Sequence, residues 1–277
     1  MAALEALEAP LVKFKKKKNL SGVAFGILVA LLYGFLLAPL IIVLVISFQS
    51  NQYLSFPPEG FTLKWYAELP TRPTFVSGAQ ISLIVALLVT FFVLLLGVPA
   101  ALAFNRYSFP GKSMIESLFM APLLVPSIVL ALGMVLLFTP FGLTNSYPGL
   151  IIGHVAITIP YVVRTTLMSL NTSDTSCEEA ARVLGADPRT TFLRITLPII
   201  RPGIIAGGVI AFIVSFDEAV ISLFIAESGL PTLPVHVLRY VEQSADASVA
   251  ALSVVLIAIS LVVVVIVERV MGLRKAL

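Results

Sequence analysis

Charged residues are scarce in this chain. Asp, Glu, Lys and Arg make up 12% of its 277 residues, against about 25% in ordinary soluble domains. A soluble fold of this length needs a charged exterior, so the composition excludes that class. Hydrophobic residues reach 58%, and a chain dissolved in lipid has to satisfy its backbone polar groups inside helices. The predicted fold class is an all-α polytopic membrane protein.

Residues that serve redox, metal and catalytic chemistry are also few. Cys177 is the only cysteine and cannot form an intrachain disulfide, while His154 and His236 form no cluster at metal-ligand spacing. We expect no metal, no cofactor, and packing or loop roles for both histidines. The chain also has no phosphate-binding G-x-x-x-x-G-K-[ST] loop and no catalytic Ser/His constellation. It is therefore not expected to be an enzyme.

A block of lysines precedes the first apolar run, at positions 13 and 15–18. Such a block could contact nucleic acid or begin a secretory signal peptide. The apolar run that follows is longer than a signal peptide requires and ends without a clear A-x-A cleavage site. We interpret the block as a cytoplasmic retention signal that contacts anionic membrane lipids, with no nucleic-acid partner.

Six apolar runs are long enough to cross a bilayer, which takes about 20 residues each. A turn rich in Pro, Gly and polar residues at 139–149 separates the third run from the fourth. Residues 1–21 form the basic N-terminal segment, 49–76 the first outer loop and 271–277 the C-terminal tail. The predicted spans are 22–48, 77–104, 113–138, 148–170, 199–226 and 248–267.

The basic residues predict the orientation. With the N-terminus inside, fifteen of the 18 Lys and Arg residues lie on the inner side, and only Lys64, Arg72 and Arg239 lie outside. An excess of Lys and Arg marks cytoplasmic loops. Both termini are therefore predicted to be cytoplasmic, with the chain in the inner (plasma) membrane.

The inner loop at 171–198 carries two helix signals. Thr175 with Glu178, or Ser176 with Glu179, fits a capping box, and the first helix would stop at Gly185. A second short helix would begin after an N-cap at Asp187 and run to Pro198. These helices could merely rest in the membrane interface.

The same loop resembles the signature of permease subunits of ATP-binding-cassette importers. That signature reads E-A-A, three residues, G, nine residues, I-x-L-P. All seven specified positions match, namely Glu179, Ala180, Ala181, Gly185, Ile195, Leu197 and Pro198.

The resemblance implies a type I importer permease fold over about 76–270, with 171–198 as the coupling loop that docks on a separate ATPase. Glu179 would meet a basic residue there, the alanines would allow close approach, and Gly185 would let the hairpin bend. The expected partners are a second, homologous permease, two ATPase subunits and a periplasmic or extracellular solute-binding protein. Alternatively, Glu179 only caps its own helix.

Residues 211–222, the Thr232–Leu233–Pro234 stretch and residues 250–253 resemble the second permease of spermidine/putrescine importers. This narrower resemblance implies a small cationic solute. Permeases for opines, iron and amino acid-like solutes are similar too.

Asp217 and Glu218 lie midway along the fifth predicted span. An acid at a helix centre costs about 2.5–3.5 kcal/mol on insertion scales, so such residues usually face a cavity or a partner. Successive helical residues point about 100° apart, so at most one acid is expected on the pore axis. The acids either line a cation path or pair with basic residues of a partner permease.

Two other classes of function remain possible from the sequence alone. An ion-coupled secondary carrier could use Asp217 or Glu218 for protons, but the cytoplasmic signature would then have no purpose. A membrane scaffold or insertion factor would show no solute uptake under any condition.

Overall fold

The computed structural model describes residues 20–53, 55–174, 176–226, 229–243 and 246–271, and these are almost entirely helical. The lysine block, Thr175 and residues 272–277 lie outside this part of the chain. The helices are α1 Leu20–Ile46, α2 Lys64–Glu68, α3 Pro73–Arg106, α4 Lys112–Met120, α5 Ser127–Phe138, α6 Tyr147–Thr172, α7 Ser176–Val183, α8 Pro188–Thr191, α9 Leu197–Phe216, α10 Val220–Ile225, α11 Leu233–Gln243 and α12 Ala247–Met271.

The predicted spans correspond to helices, with differences in the third and fifth. Four helices in the described ranges are long and apolar enough to cross a membrane, and a bent pair makes a fifth candidate. In α12, the apolar stretch among the described residues, Ala247–Val262, is shorter than the length required of a membrane-spanning helix. The apolar helices confirm the all-α membrane class, while the count of six spans stays a prediction.

The third span is bent rather than continuous. The prediction of one helix over 113–138 was wrong, because Lys112–Leu123 and Ser127–Phe141 meet at 107°. Pro126 lies between the two halves in an extended conformation (ψ 134°) and precedes α5. A proline at this point removes a backbone donor and clashes with the preceding turn, which ends the first half.

The fifth span differs from its prediction at its start and by a break near its middle. Its helix extends back to Pro188, because α8 continues through a π-helical turn at Phe192–Thr196 into α9. The predicted end of the second loop helix at Pro198 was therefore wrong. The wider π turn relieves the clash between a proline ring and the carbonyl four residues earlier. Helix α9 then stops at Phe216, and α10 begins at Val220.

Three helices, α3, α6 and α9, pack together at the centre of the described chain. Two glycines allow α9 to approach α6 closely. A Cβ atom at Gly207 would lie 2.8 Å from the Cα of Val162 and 2.5 Å from the Thr165 hydroxyl. A Cβ at Gly203 would lie 2.5 Å from the Thr165 carbonyl. The small-xxx-small pair therefore serves helix packing.

One end of the helix bundle, predicted to be the outer one, is held by a polar cluster around Arg72, the residue before α3. Its guanidinium donates to the Tyr240 hydroxyl at 2.7 Å and lies 3.5 Å from Glu68 and 3.8 Å from Asp246. The Tyr240 hydroxyl in turn donates to Asp246 at 2.7 Å. This cluster joins the loop that contains α2 to α11 and to the start of α12. By contrast, most described side chains of α1 are exposed.

Candidate functional site

The inner loop forms a helical hairpin with a tight turn. Helix α7 ends in a Schellman arrangement, in which Ala186 N–H donates to the Ala181 carbonyl and Gly185 N–H to the Arg182 carbonyl, both at 3.0 Å. Gly185 has a φ of +85°, which favours glycine. The hairpin turn predicted at this glycine is therefore present.

Asp187 caps the second arm of the hairpin as predicted. Its carboxylate accepts a hydrogen bond from Thr190 N–H at 2.7 Å, and Pro188 occupies the first helical turn. The same N–H bond holds the pKa of the Asp187 carboxyl below its ordinary value. Because the folded pKa is depressed, the cap is complete at neutral pH and weakens only as the pH falls through that low value.

The seven signature residues lie along this hairpin and the turn after it. Glu179, Ala180, Gly185 and Pro198 are exposed, while Ala181, Ile195 and Leu197 are half-buried. Two large apolar side chains follow Glu179 on the same arm. Val183, one helical turn later, and Leu184 are each 87% exposed. The hairpin thus presents an acidic group next to an uncovered apolar surface.

Glu178, the neighbour of Glu179, has different surroundings. Its carboxylate lies 2.6 Å from the Arg106 guanidinium at the end of α3 and accepts a hydrogen bond from the Thr196 hydroxyl, also at 2.6 Å. Arg106 also donates to the Thr196 hydroxyl at 3.0 Å. Sequence reasoning missed this group of three because its members are far apart in the chain. We call it the inner clamp.

Asp217 lies at the break of the fifth span and lines a cavity of about 700 Å³. Apolar residues of α3, α9, α11 and α12 form most of the walls, among them Phe212 and Phe216, whose rings stack at 6.0 Å. Within the described residues the Asp217 carboxylate has no hydrogen-bond or ion-pair partner. This acid is therefore available to a cation from outside the chain.

Glu218 lines a second cavity, of about 220 Å³, on another side of the break. Pro122, Val125 and Tyr161 are among the other lining residues, so this cavity lies beside the bend between α4 and α5. One Glu218 carboxylate oxygen accepts hydrogen bonds from Val220 N–H and Ile221 N–H, both at 3.0 Å. Glu218 thus caps α10, and the two acids line different cavities.

His154 bridges the same break from α6. Its ring nitrogens lie 2.9 Å from the Ser215 hydroxyl of α9 and 3.0 Å from the Ser222 hydroxyl of α10. The imidazole is fully buried. The predicted packing role fits this arrangement, in which one side chain holds both halves of the broken span.

Residues 93–273 match the family described as the binding-protein-dependent transport system inner membrane component. The chain belongs to this family. It is thus a membrane-embedded permease subunit of an ATP-binding-cassette transport system, as its coupling-loop signature predicts.

The permease is similar to two curated relatives from Escherichia coli (strain K12). It is 33% identical to the spermidine/putrescine transport system permease protein PotC, over 84% of this chain and 88% of the relative. It is 32% identical to the putrescine transport system permease protein PotI, over 83% and 85% of the two chains.

A likeness to solved structures supports the fold. A chain of a bacterial alginate ABC transporter, crystallised with a periplasmic protein bound to an alginate pentasaccharide, matches with a TM-score of 0.68 at 17% identity. The match covers 89% of the permease and 93% of the transporter chain. This likeness confirms the predicted ATP-binding-cassette permease fold.

Proposed function

We propose that this permease imports polyamines such as spermidine and putrescine across the inner membrane. Its similarity to PotC and PotI over more than four fifths of its length supports this substrate class. An unpartnered carboxylate in a largely apolar cavity also suits a solute that carries ammonium groups on a hydrocarbon chain. Charge-assisted hydrogen bonds to the carboxylate would replace the hydration that each ammonium loses.

The proposed assembly contains a second, homologous permease, two ATPase subunits that hydrolyse the ATP, and an external solute-binding protein. In this assembly the hairpin and both termini face the cytoplasm. The distribution of Lys and Arg supports this orientation. The binding protein would select the solute outside, and alternating access of the permease pair would move it inward.

The hairpin is proposed as the ATPase docking site. The exposure of Glu179 and Ala180, together with Val183 and Leu184, carries this proposal. An uncovered apolar surface next to an exposed acid fits a cleft with apolar walls and a basic residue. Gly185 fixes the angle between the arms, and Ile195, Leu197 and Pro198 join the second arm to the fifth span.

Asp217 and Glu218 are proposed to line the solute path from their two cavities. Asp217 provides the free carboxylate, and Glu218 combines a negative charge with capping of α10. In the alternative arrangement, Asp217 pairs with a basic residue of the partner permease. Spermidine uptake and copurification of the partner permease, measured on Asp217→Asn, separate these roles.

A charge reversal at Glu179 tests the docking site. Glu179→Lys places a cation against the expected basic residue of the ATPase, so the ATPase should no longer copurify and spermidine uptake should fall to background. The measurement is made on detergent-purified complexes and in membrane vesicles at matched permease abundance. Glu116→Lys makes the same charge change on α4, outside the hairpin, and should leave copurification intact. Normal copurification and uptake in Glu179→Lys would contradict the proposal.

A further inference from the structure

The inner clamp joins the hairpin to a helix that is remote in the chain. Glu178 belongs to the first arm, Thr196 to the π turn of the second arm, and Arg106 to the last turn of α3. Both carboxylate oxygens lie within 2.8 Å of the same guanidinium nitrogen. Both charged groups also bond to the buried Thr196 hydroxyl, so their relative orientation is fixed as well as their distance.

The clamp is more enclosed than the other ion pair of the hairpin. The side chain of Glu178 is 16% exposed and that of Arg106 is 29% exposed, while Arg182 is 60% exposed and lies 3.9 Å from Glu178. Partial burial weakens the screening of charges by salt and water. The ion pair of Arg106 and Glu178 is therefore expected to be stronger than an exposed pair and to stay intact when the hairpin moves.

We infer that the pair of Arg106 and Glu178 transmits motion of the hairpin directly to α3, alongside the covalent route through α8 and α9. This inference rests on the proposed docking of the hairpin on an ATPase. Glu179 would receive the force from the ATPase, and Glu178, which faces a different partner, would deliver it to α3. Arg106 is thus a positioning residue for transport.

The form of α3 supports this role. It is one helix of 34 residues, about 51 Å long at the usual rise per residue. Its inner end is held by the clamp, and its outer end by the Arg72 cluster with Tyr240 and Asp246. Along its length it packs against α6 and α9. A displacement of its inner end therefore reaches the walls of the 700 Å³ cavity, to which α3 contributes Ala79 and Leu83.

A cysteine label at the outer end of α3 tests this coupling. In a Cys177→Ala background, Thr74→Cys places an exposed thiol in the first turn of α3. The complete transporter, with both permeases, ATPase and binding protein, is labelled with a maleimide before and after ATP is trapped with vanadate. With the clamp intact, the labelling rate should change about fivefold, at the lower end of usual coupling effects between linked sites.

Clamp variants should lose most of this change while the ATPase still copurifies. These variants are Arg106→Gln and Glu178→Gln. The exchange of Arg106→Glu with Glu178→Arg rebuilds the ion pair in reverse and should restore part of the response. Arg182→Gln removes a charge from the same hairpin and is the matched control. Thr196→Val replaces the hydroxyl of the clamp by a methyl group. Its labelling rate tests the clamp even if the charge variants fail to assemble with the ATPase.

Two results overturn the inference. One is a full change in labelling rate in the assembled Arg106→Gln and Thr196→Val complexes. The other is a labelling rate at Thr74→Cys that does not change when ATP is trapped, although the ATPase is docked. A parent permease that binds no ATPase contradicts the proposed function itself, because docking is measured before any label is added.

Discussion

Adjacent acidic residues in this permease have separate surroundings. Glu178 contacts Arg106 and Thr196, whereas its neighbour Glu179 is exposed. The sequence predicts the hairpin, because caps and turns are local features. It suggested for Glu178 only one of two alternative capping boxes, the one with Thr175. The contact of Glu178 with Arg106 spans 72 positions and leaves no local pattern. A salt bridge of this kind is visible only once the helices are packed.

The two acids of the fifth span should differ in their effect on uptake. Asp217→Asn removes the free carboxylate, and a hydrogen bond to a charged group contributes about 1.5–3 kcal/mol, so spermidine uptake should fall about tenfold or more. Glu218→Gln keeps a carbonyl oxygen that can cap α10, so its uptake should fall less. Uptake is measured with labelled spermidine at matched membrane abundance.

Full uptake in both variants would show that neither acid is needed in the solute path, which contradicts the proposal. If Asp217→Asn instead releases the partner permease during purification, the carboxylate holds the permease pair together and does not bind solute.

Local sequence signals predict some features of the helices and miss others. Long apolar runs predict the spans well, and Gly185 and Asp187 predict the hairpin, because these signals act within a few residues. The break at Asp217 has no glycine or proline to mark it. It is stabilised by His154, 61 positions from Ser215 and 68 from Ser222. The continuation of the helix through Pro198 likewise depends on a π turn that no local sequence pattern predicts.

Neighbouring glycines of α9 should respond differently to a methyl group. Gly207→Ala would place a Cβ atom 2.8 Å from the backbone of Val162, so α6 and α9 must separate. Overpacking of this kind typically costs about 1–3 kcal/mol. At Gly208→Ala the nearest atoms to the new Cβ belong to the Leu94 side chain, at 3.3 Å, which can move, so this variant should cost less. Thermal unfolding of the detergent-purified permease checks this, and equal midpoints for the two variants would contradict the packing account.

At the scale of the whole chain, two groups of charged residues mark opposite ends of α3. The inner clamp with the hairpin lies at one end, and the Arg72 cluster with α2 and α11 lies at the other. The sequence predicts this separation from the Lys and Arg count, because charges near a membrane gather in the aqueous loops. It does not predict the pairing within each group, which depends on helices that are distant in the chain.

The single cysteine offers a direct test of orientation. Cys177 is exposed on the hairpin, so a membrane-impermeant maleimide should label it in inside-out vesicles and leave it unlabelled in intact spheroplasts. Gln52→Cys in a Cys177→Ala background places an exposed thiol in the first outer loop and should show the opposite pattern. In inside-out vesicles, docked ATPase should also slow the labelling of Cys177, because that residue adjoins the proposed docking surface. Labelling of Cys177 in intact spheroplasts would put the hairpin outside the cell, where no ATPase could drive it.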